Sequence, residues 1–362
     1  MQKTFELELN NKNVKNAFLQ VYSISKKINI QLSDGVFKNG DSVSLKNPFY
    51  TASIGKMFTT TSIAILKEEG KLNFNDKIDQ FLSKETLNGL HLLDGIESSH
   101  KITIAQLMQH TSGLPDYFED VTIDGTPNII TQLFLKSNKY WSPKECIQFV
   151  KDKMKPKFLP GNGYHYTDTE YILLGLIIEK VSGYSLHEFF NEYIFKPLKM
   201  NNTYMFLRSL PLKQTEKIAE IYFSEIEISS FKSLTADWAG GAIVSSTKDL
   251  ITFQKSLISG KFLKSHTLQE MKNWTTETKG MYYGYGFRKI VLNELSPNFP
   301  KFDLIGHSGS TGSFLFYCPQ LDTHISGTLN QVEATKNALV LIVNILNELY
   351  KNHSFLMKLE NN

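Results

Sequence analysis

The sequence predicts a mixed α/β protein of the α+β kind: an antiparallel sheet flanked by helices, with an inserted all-helical lobe. Three observations carry that expectation. Apolar runs of strand length open the chain, at residues 18–23 and 28–32. The middle carries three capping boxes and helix-length apolar stretches. Strand-like runs return after residue 280, and a last amphipathic segment follows them.

Taken in order, the first 50 residues read as extended, with strands at 18–23 and 28–32 joined by Lys26-Lys27 and with Ser33-Asp34-Gly35 as a turn. From Ser53 to Glu69 the chain lacks proline and is mostly apolar or small, and Gly70 follows as a C′ residue. That pattern predicts a helix buried on most sides. Thr103-Ile104-Ala105-Gln106, Ser142-Pro143-Lys144-Glu145 and Ser185-Leu186-His187-Glu188 each place a hydroxyl three residues before Gln or Glu, the signature of a helix start. A further helix is predicted over 168–181, with Gly183 past its end. The segments 112–116 and 159–163 are turn-rich links. Thr247 is the expected cap of a helix that stops near Gly260. Residues 282–292, 313–318 and 324–329 read as strands, and 335–350 as a terminal amphipathic helix. Residues 1–74 and 232–362 are thus expected to build a sheet lobe and 75–231 a helical lobe, together one catalytic unit.

Composition excludes several classes. The 39 Lys and Arg against 36 Asp and Glu give a net charge of +3 over 362 residues, too balanced for a nucleic-acid binder driven by bulk charge. A hydrophobic content of 41% with 12% aromatics excludes a disordered chain. Two distant cysteines, Cys146 and Cys318, make neither a disulfide scaffold nor a thiolate zinc site. The first residues lack the apolar core of about 7–15 residues that marks a signal peptide. No window reaches the roughly 18 apolar residues of a membrane span. The expectation is a soluble, cytoplasmic protein.

The chemistry centres on Ser53-Ile54-Gly55-Lys56. At a helix start, i,i+3 spacing puts the hydroxyl and the amine on one face. A serine hydroxyl is a weak nucleophile and needs a base beside it. Lysine is a base only when burial or a second cation lowers its pKa well below about 10.4. The helix N-terminus adds partial positive charge, which suits an oxyanion. The nine histidines show no zinc-ligand spacing, so neither metal nor cofactor is expected. No Gly-x-Ser-x-Gly elbow and no Walker loop are present, which points away from α/β-hydrolases and NTPases.

Four segments place this serine in a family. Residues 51–59 with Glu68-Glu69-Gly70-Lys71-Leu72 resemble the first block of class C serine β-lactamases and their D-Ala-D-Ala carboxypeptidase and esterase relatives. The run 102–114, which holds His110-Thr111-Ser112-Gly113, is similar to that family's His-Thr-Ser-Gly segment. Tyr164-His165-Tyr166-Thr167-Asp168 resembles its Tyr-x-Asn block, and Gly306-His307-Ser308-Gly309-Ser310-Thr311-Gly312 its Lys-Thr-Gly or His-x-Gly block. The resemblance implies a β-lactamase/transpeptidase-like fold and an acyl-enzyme mechanism. It implies Ser53 as nucleophile and Lys56 and Tyr166 as the groups that handle its proton, with the choice of base open. It implies substrate contacts from Asp168, His307, Ser308, Gly309 and Ser310, and an oxyanion hole from the backbone N–H groups of Ser53 and Ser310.

Two positions depart from the commoner pattern. Asp168 stands where Asn is usual, and an ionised Asp only accepts hydrogen bonds. It is expected to pair with Lys56, moving the base role to Tyr166, to cap the helix that begins there, or to do both. His307 stands where Lys often occurs and is a poorer anchor for a carboxylate. His110-Thr111-Ser112-Gly113 reads as structural, and Tyr117, Trp238 and Tyr282-Tyr283-Gly284-Tyr285 read as core rather than pocket wall. The implied partner is a small ester, amide or peptide, with no nucleic acid, no membrane span and no oligomeric state indicated. The rival readings are a true β-lactamase and a non-catalytic binding protein on the same fold.

Overall fold

The computed structural model describes residues 1–9 and 14–360. The elements that build and surround the site are numbered here in chain order. They are α1 (Gln2–Leu9), β1 (Asn16–Ser23), β2 (Ile28–Gly35), β3 (Phe49–Tyr50), α2 (Gly55–Glu68), α3 (Ile104–Met108), α4 (Pro143–Lys153) and α5 (Asp168–Ser182). They continue with β4 (Tyr204–Met205), β5 (Ile243–Ser245), α6 (Thr247–Ile258), β6 (Thr275–Thr278), β7 (Met281–Tyr283) and β8 (Arg288–Val291). The last are β9 (Asp303–Ser308), β10 (Ser313–Cys318), β11 (Thr323–Thr328) and α7 (Thr335–Glu360).

Eight strands form one antiparallel sheet in the order β6-β7-β8-β9-β10-β11-β1-β2. The period-two pattern of β1 and β10 explains how its two faces are used. Leu19, Val21, Phe314 and Phe316 point to one face, where they bury against Phe5 of α1 and Leu341 and Ile345 of α7. Phe18 and Leu315 point to the other face and join the core that holds α2 and α6. There Phe58 stacks on Phe253 with ring centres 4.0 Å apart. This second core runs on without a break into the helices of the middle segment, through Ile172, Leu173 and Ile177 of α5. Each such fully buried side chain contributes about 1.5–3 kcal/mol. A small sheet, β3-β5-β4, ties the segment before Ser53 to the middle segment.

The capping boxes at Thr103/Gln106 and Ser142/Glu145 close α3 and α4 as the spacing predicts, with Pro143 in the first turn of α4. Gly183 ends α5 with φ 77°. Four local expectations are corrected. The opening residues are not all extended, because Gln2–Leu9 forms a helix whose Phe5 seals the sheet face. Ser33-Asp34-Gly35 is not a turn but the end of β2, paired with β1 through Asn16↔Gly35. Residues 282–292 are not one strand, since the chain turns at Gly284–Gly286 between β7 and β8. Ser246, not Thr247, caps α6 by accepting from Asp249 N.

Candidate active site

The segment that presents Ser53 is clamped from three sides. Thr51 N and Oγ1 both donate to Ile243 O of β5, at 2.8 and 2.9 Å. From the large sheet, Ser313 Oγ donates to Thr51 O at 2.7 Å and Thr311 Oγ1 to Tyr50 O at 3.2 Å. Held this way, Ala52 takes φ 47°, a left-handed backbone that costs a non-glycine residue energy. Ser53 sits in the 3₁₀ turn Ala52–Ile54, and α2 starts at Gly55. Glycine is needed where backbones touch. A Cβ on Gly309 would lie 2.5 Å from Thr51 O, and one on Gly55 would lie 2.7 Å from Gly241 Cα.

One turn into α2, Lys56 is wholly buried and its amine is saturated. Nζ donates to Ser53 Oγ at 3.2 Å, to Gly240 O at 3.2 Å and to Asp168 Oδ1 in a short ion pair. Burial is the largest single influence and opposes the lysine charge, but Asp168, Tyr166, Asp237 and Tyr283 together outweigh it, so the pKa stands above the ordinary lysine value. Lys56 is therefore a fixed cation. Asp168 is the first helical residue of α5, while Thr167 is the N-cap and accepts from Thr169 N at 3.1 Å. Of the two roles expected for Asp168, the structure assigns the lysine partner and gives the cap to its neighbour.

Tyr166 precedes that cap. Its ring centre lies 4.9 Å from Lys56 Nζ, 5.1 Å from the Arg288 guanidinium and 4.3 Å from the His110 ring. Burial raises the phenol pKa and Asp168 adds to the rise, whereas Lys56 and Arg288 pull the other way. Arg288 is fixed by a two-pronged ion pair to Glu277 on β6, with Nε and Nη2 at 2.7 and 2.6 Å from its oxygens.

Ser53, Tyr166, Asp168, Ser308, Gly309 and Ser310 all line one cleft of about 400 Å³. Lys56 lies buried behind Ser53, outside the lining itself. His307 does not face the cleft. It is a fully buried residue of β9, with Nδ1 2.7 Å from Ser308 O and Nε2 3.0 Å from Tyr283 Oη. Burial first, then Arg288 and Lys56, push its pKa far below the usual histidine value. Leu315 is its strand partner, and the His307 ring centre lies 6.4 Å from that of Tyr166.

His110-Thr111-Ser112-Gly113 is structural, as expected. His110 Nδ1 and Ser112 Oγ both lie 2.5 Å from the Glu170 carboxyl, all three groups being buried. Tyr117 and Trp238 are core residues, with Tyr117 Oη donating to Ala236 O at 2.8 Å.

Nothing in the sequence pattern marks Asp116, Glu119 and Arg288 as cleft residues, and Asp237 joins them there. Asp116 Oδ1 accepts from Asp168 N at 2.9 Å and Oδ2 from Glu119 N at 3.0 Å. Burial, and then the Asp168 charge, push the Asp116 carboxyl up to about 8 and that of Asp237 up to about 7. Asp116 follows Pro115 in a turn, and nothing in its spacing marks it. Asp237-Trp238-Ala239-Gly240-Gly241 reads in sequence only as a pocket rim; its signal was the Gly-Gly pair that lets Lys56 and Asp168 approach.

Residues 31–349 match the Beta-lactamase family, and the chain belongs to it. It is 27% identical to penicillin-binding protein 4* of Bacillus subtilis over 274 residues, covering 72% of this chain and 55% of that relative. It is 24% identical to a putative D-alanyl-D-alanine carboxypeptidase of Escherichia coli, covering 72% of this chain and 64% of that one. The chain thus spans little more than half the length of these curated relatives. Among solved structures, a D-stereospecific amidohydrolase from Streptomyces sp. superimposes with a TM-score of 0.75 at 25% identity, covering 91% of this chain and 93% of that one. D-amino acid amidase from Ochrobactrum anthropi SV3 shares the fold at a TM-score of 0.79 and 20% identity, covering 98% and 99%. Among the described residues, no helix is long and apolar enough to cross a membrane.

Proposed function

We propose that the protein is a serine hydrolase that opens a small ester, amide or peptide through an acyl-enzyme on Ser53. The observation that carries this is the saturated Lys56 amine, held by Asp168 and Gly240 O and donating to Ser53 Oγ. A lysine held charged cannot accept the serine proton, so Tyr166 is the base, and Lys56 is the cation that favours its phenolate. Ser53 Oγ bonds to the acyl carbon as its proton passes to Tyr166 Oη. The bond to nitrogen or oxygen then breaks, and Tyr166 returns the proton to the leaving group. Water repeats the cycle and frees the acid. The backbone N–H groups of Ser53 and Ser310, both in the cleft wall, serve as the oxyanion hole in this reading. The sheet elements in 1–74 and 232–362 and the helices in 75–231 act as one catalytic unit, because the nucleophile comes from the first and Tyr166 from the second.

The test is covalent labelling with a fluorophosphonate, read beside turnover of a nitrophenyl acetate. Native protein should be labelled at Ser53, and Ser53→Ala should lose both label and turnover. Equal turnover by Ser53→Ala refutes the assignment, and no label on native protein favours a binding role. Turnover of a chromogenic cephalosporin above that of the ester would favour a true β-lactamase.

A further inference from the structure

Among the described residues, the cation in the cleft wall and the one behind it are both paired. Lys56 is paired with Asp168, and Arg288 is forked onto Glu277. His307, at the place where the family often carries lysine, is a fully buried residue of β9. Arg288 is the one Lys or Arg among the cleft-lining residues, and four acids line the same cleft: Asp116, Glu119, Asp168 and Asp237. Of these, Asp116, Glu119 and Asp237 have no ion-pair partner of their own among the described residues. Asp116 uses one lone pair on each oxygen for a backbone N–H, which leaves acceptor capacity toward the cleft. The wall also carries an apolar stretch, with Phe118, Ile130, Phe134, Phe223, Ile228 and Leu234, beside hydroxyl residues such as Ser308, Ser310 and Thr311.

A substrate carboxylate entering this space meets no free cation and several acids. An ammonium meets the opposite. From this we infer that the cleft selects acyl donors that bear an ammonium and an apolar side chain, and rejects those that bear a free carboxylate. The class is aminoacyl amides, esters and amidated peptides, not peptides cut next to a C-terminal carboxylate. The inference rests on the hydrolase reading above and narrows its substrate. Asp116 and Asp237 both feel the Asp168 charge, so a bound ammonium also supplies positive charge that favours their ionised forms.

The experiment compares kcat/KM on matched pairs, with both enantiomers of each compound. The first pair is phenylalanine nitroanilide and its N-acetyl derivative, which lacks the charge. The second is phenylalanyl-alanine amide and the free dipeptide. The charged anilide and the amidated dipeptide should each be preferred by about tenfold or more, the range of one charge-assisted hydrogen bond. Asp116→Asn and, separately, Glu119→Gln should narrow the first ratio. The glutamate is exposed, so its variant remains informative if the buried Asp116 variant does not fold. Equal rates within each pair, or preference for the free dipeptide, overturn the inference. Fluorophosphonate labelling of the same preparation keeps the two readings apart. A labelled enzyme without charge preference sinks only this inference, and an unlabelled one sinks the hydrolase reading.

Discussion

Among single residues, Asp168 decides most. An amide at this position would leave Lys56 buried without its counter-charge, and burial alone lowers a lysine pKa. In Asp168→Asn, therefore, Lys56 should become able to lose its proton and share the base role. The rising limb of kcat/KM against pH should move to lower pH by about one unit or more. A limb that stays in place would mean that the carboxylate does not set the lysine charge. The pairing of Ser53 with Lys56 was legible in the sequence because three residues make one helical turn. That Asp168 reaches Lys56 was legible as one of two options. Asp116 and Arg288 were not legible. The first comes to the cleft through a turn packed on the start of α5, and the second through the register Arg288↔Gly306. Neither relation leaves a spacing in the chain.

At the level of elements, the contact between the Gly309 backbone and the Thr51–Ala52 turn sets how closely β9 can approach Ser53. Gly309→Ala would push a methyl to 2.3 Å from Ser313 Oγ and 2.5 Å from Thr51 O. The strand and the turn must separate, at a cost of about 1–3 kcal/mol. Chemical denaturation should show that loss, and nitrophenyl ester turnover should fall further than the stability change alone explains. Unchanged turnover in a folded variant would show that this approach does not position the nucleophile. The helices themselves were readable, because caps and apolar period are local signals, and the boxes at Ser142 and Thr103 stand where the spacing puts them. The opening helix was not, since Gln2–Leu9 is held by Phe5 packing on a distant sheet face rather than by its own propensity.

For the whole molecule, the buried titratable groups set how stability depends on pH. Asp116, Asp237 and Glu170 have carboxyl pKa values raised in the folded state, chiefly by burial. The folded chain then binds more protons than the unfolded one from about pH 4 upward, so stability falls as pH rises through that window. His110 and His307 act in the other direction. Burial lowers their pKa values, so they take stability away below about pH 6.5. Above that value the acids dominate, and the slope is negative through about pH 8, where Asp116 is half titrated. Thermal unfolding should therefore show a falling midpoint between pH 6.5 and 8, and Asp116→Asn should flatten it. A midpoint that climbs across that interval would contradict the assignment. The sheet order itself was only half legible: strand, helix and strand again gave the layers, but the insertion of β1 and β2 beside β11 is a long-range pairing.

The position of Glu277 has one more consequence. It stands on β6, the outermost strand, yet it holds the guanidinium that lies over the Tyr166 ring. Fraying at a sheet margin is the least costly opening a fold has. Here such breathing would let go of the cation over the Tyr166 ring, so one margin of the sheet is wired to a phenol at the cleft.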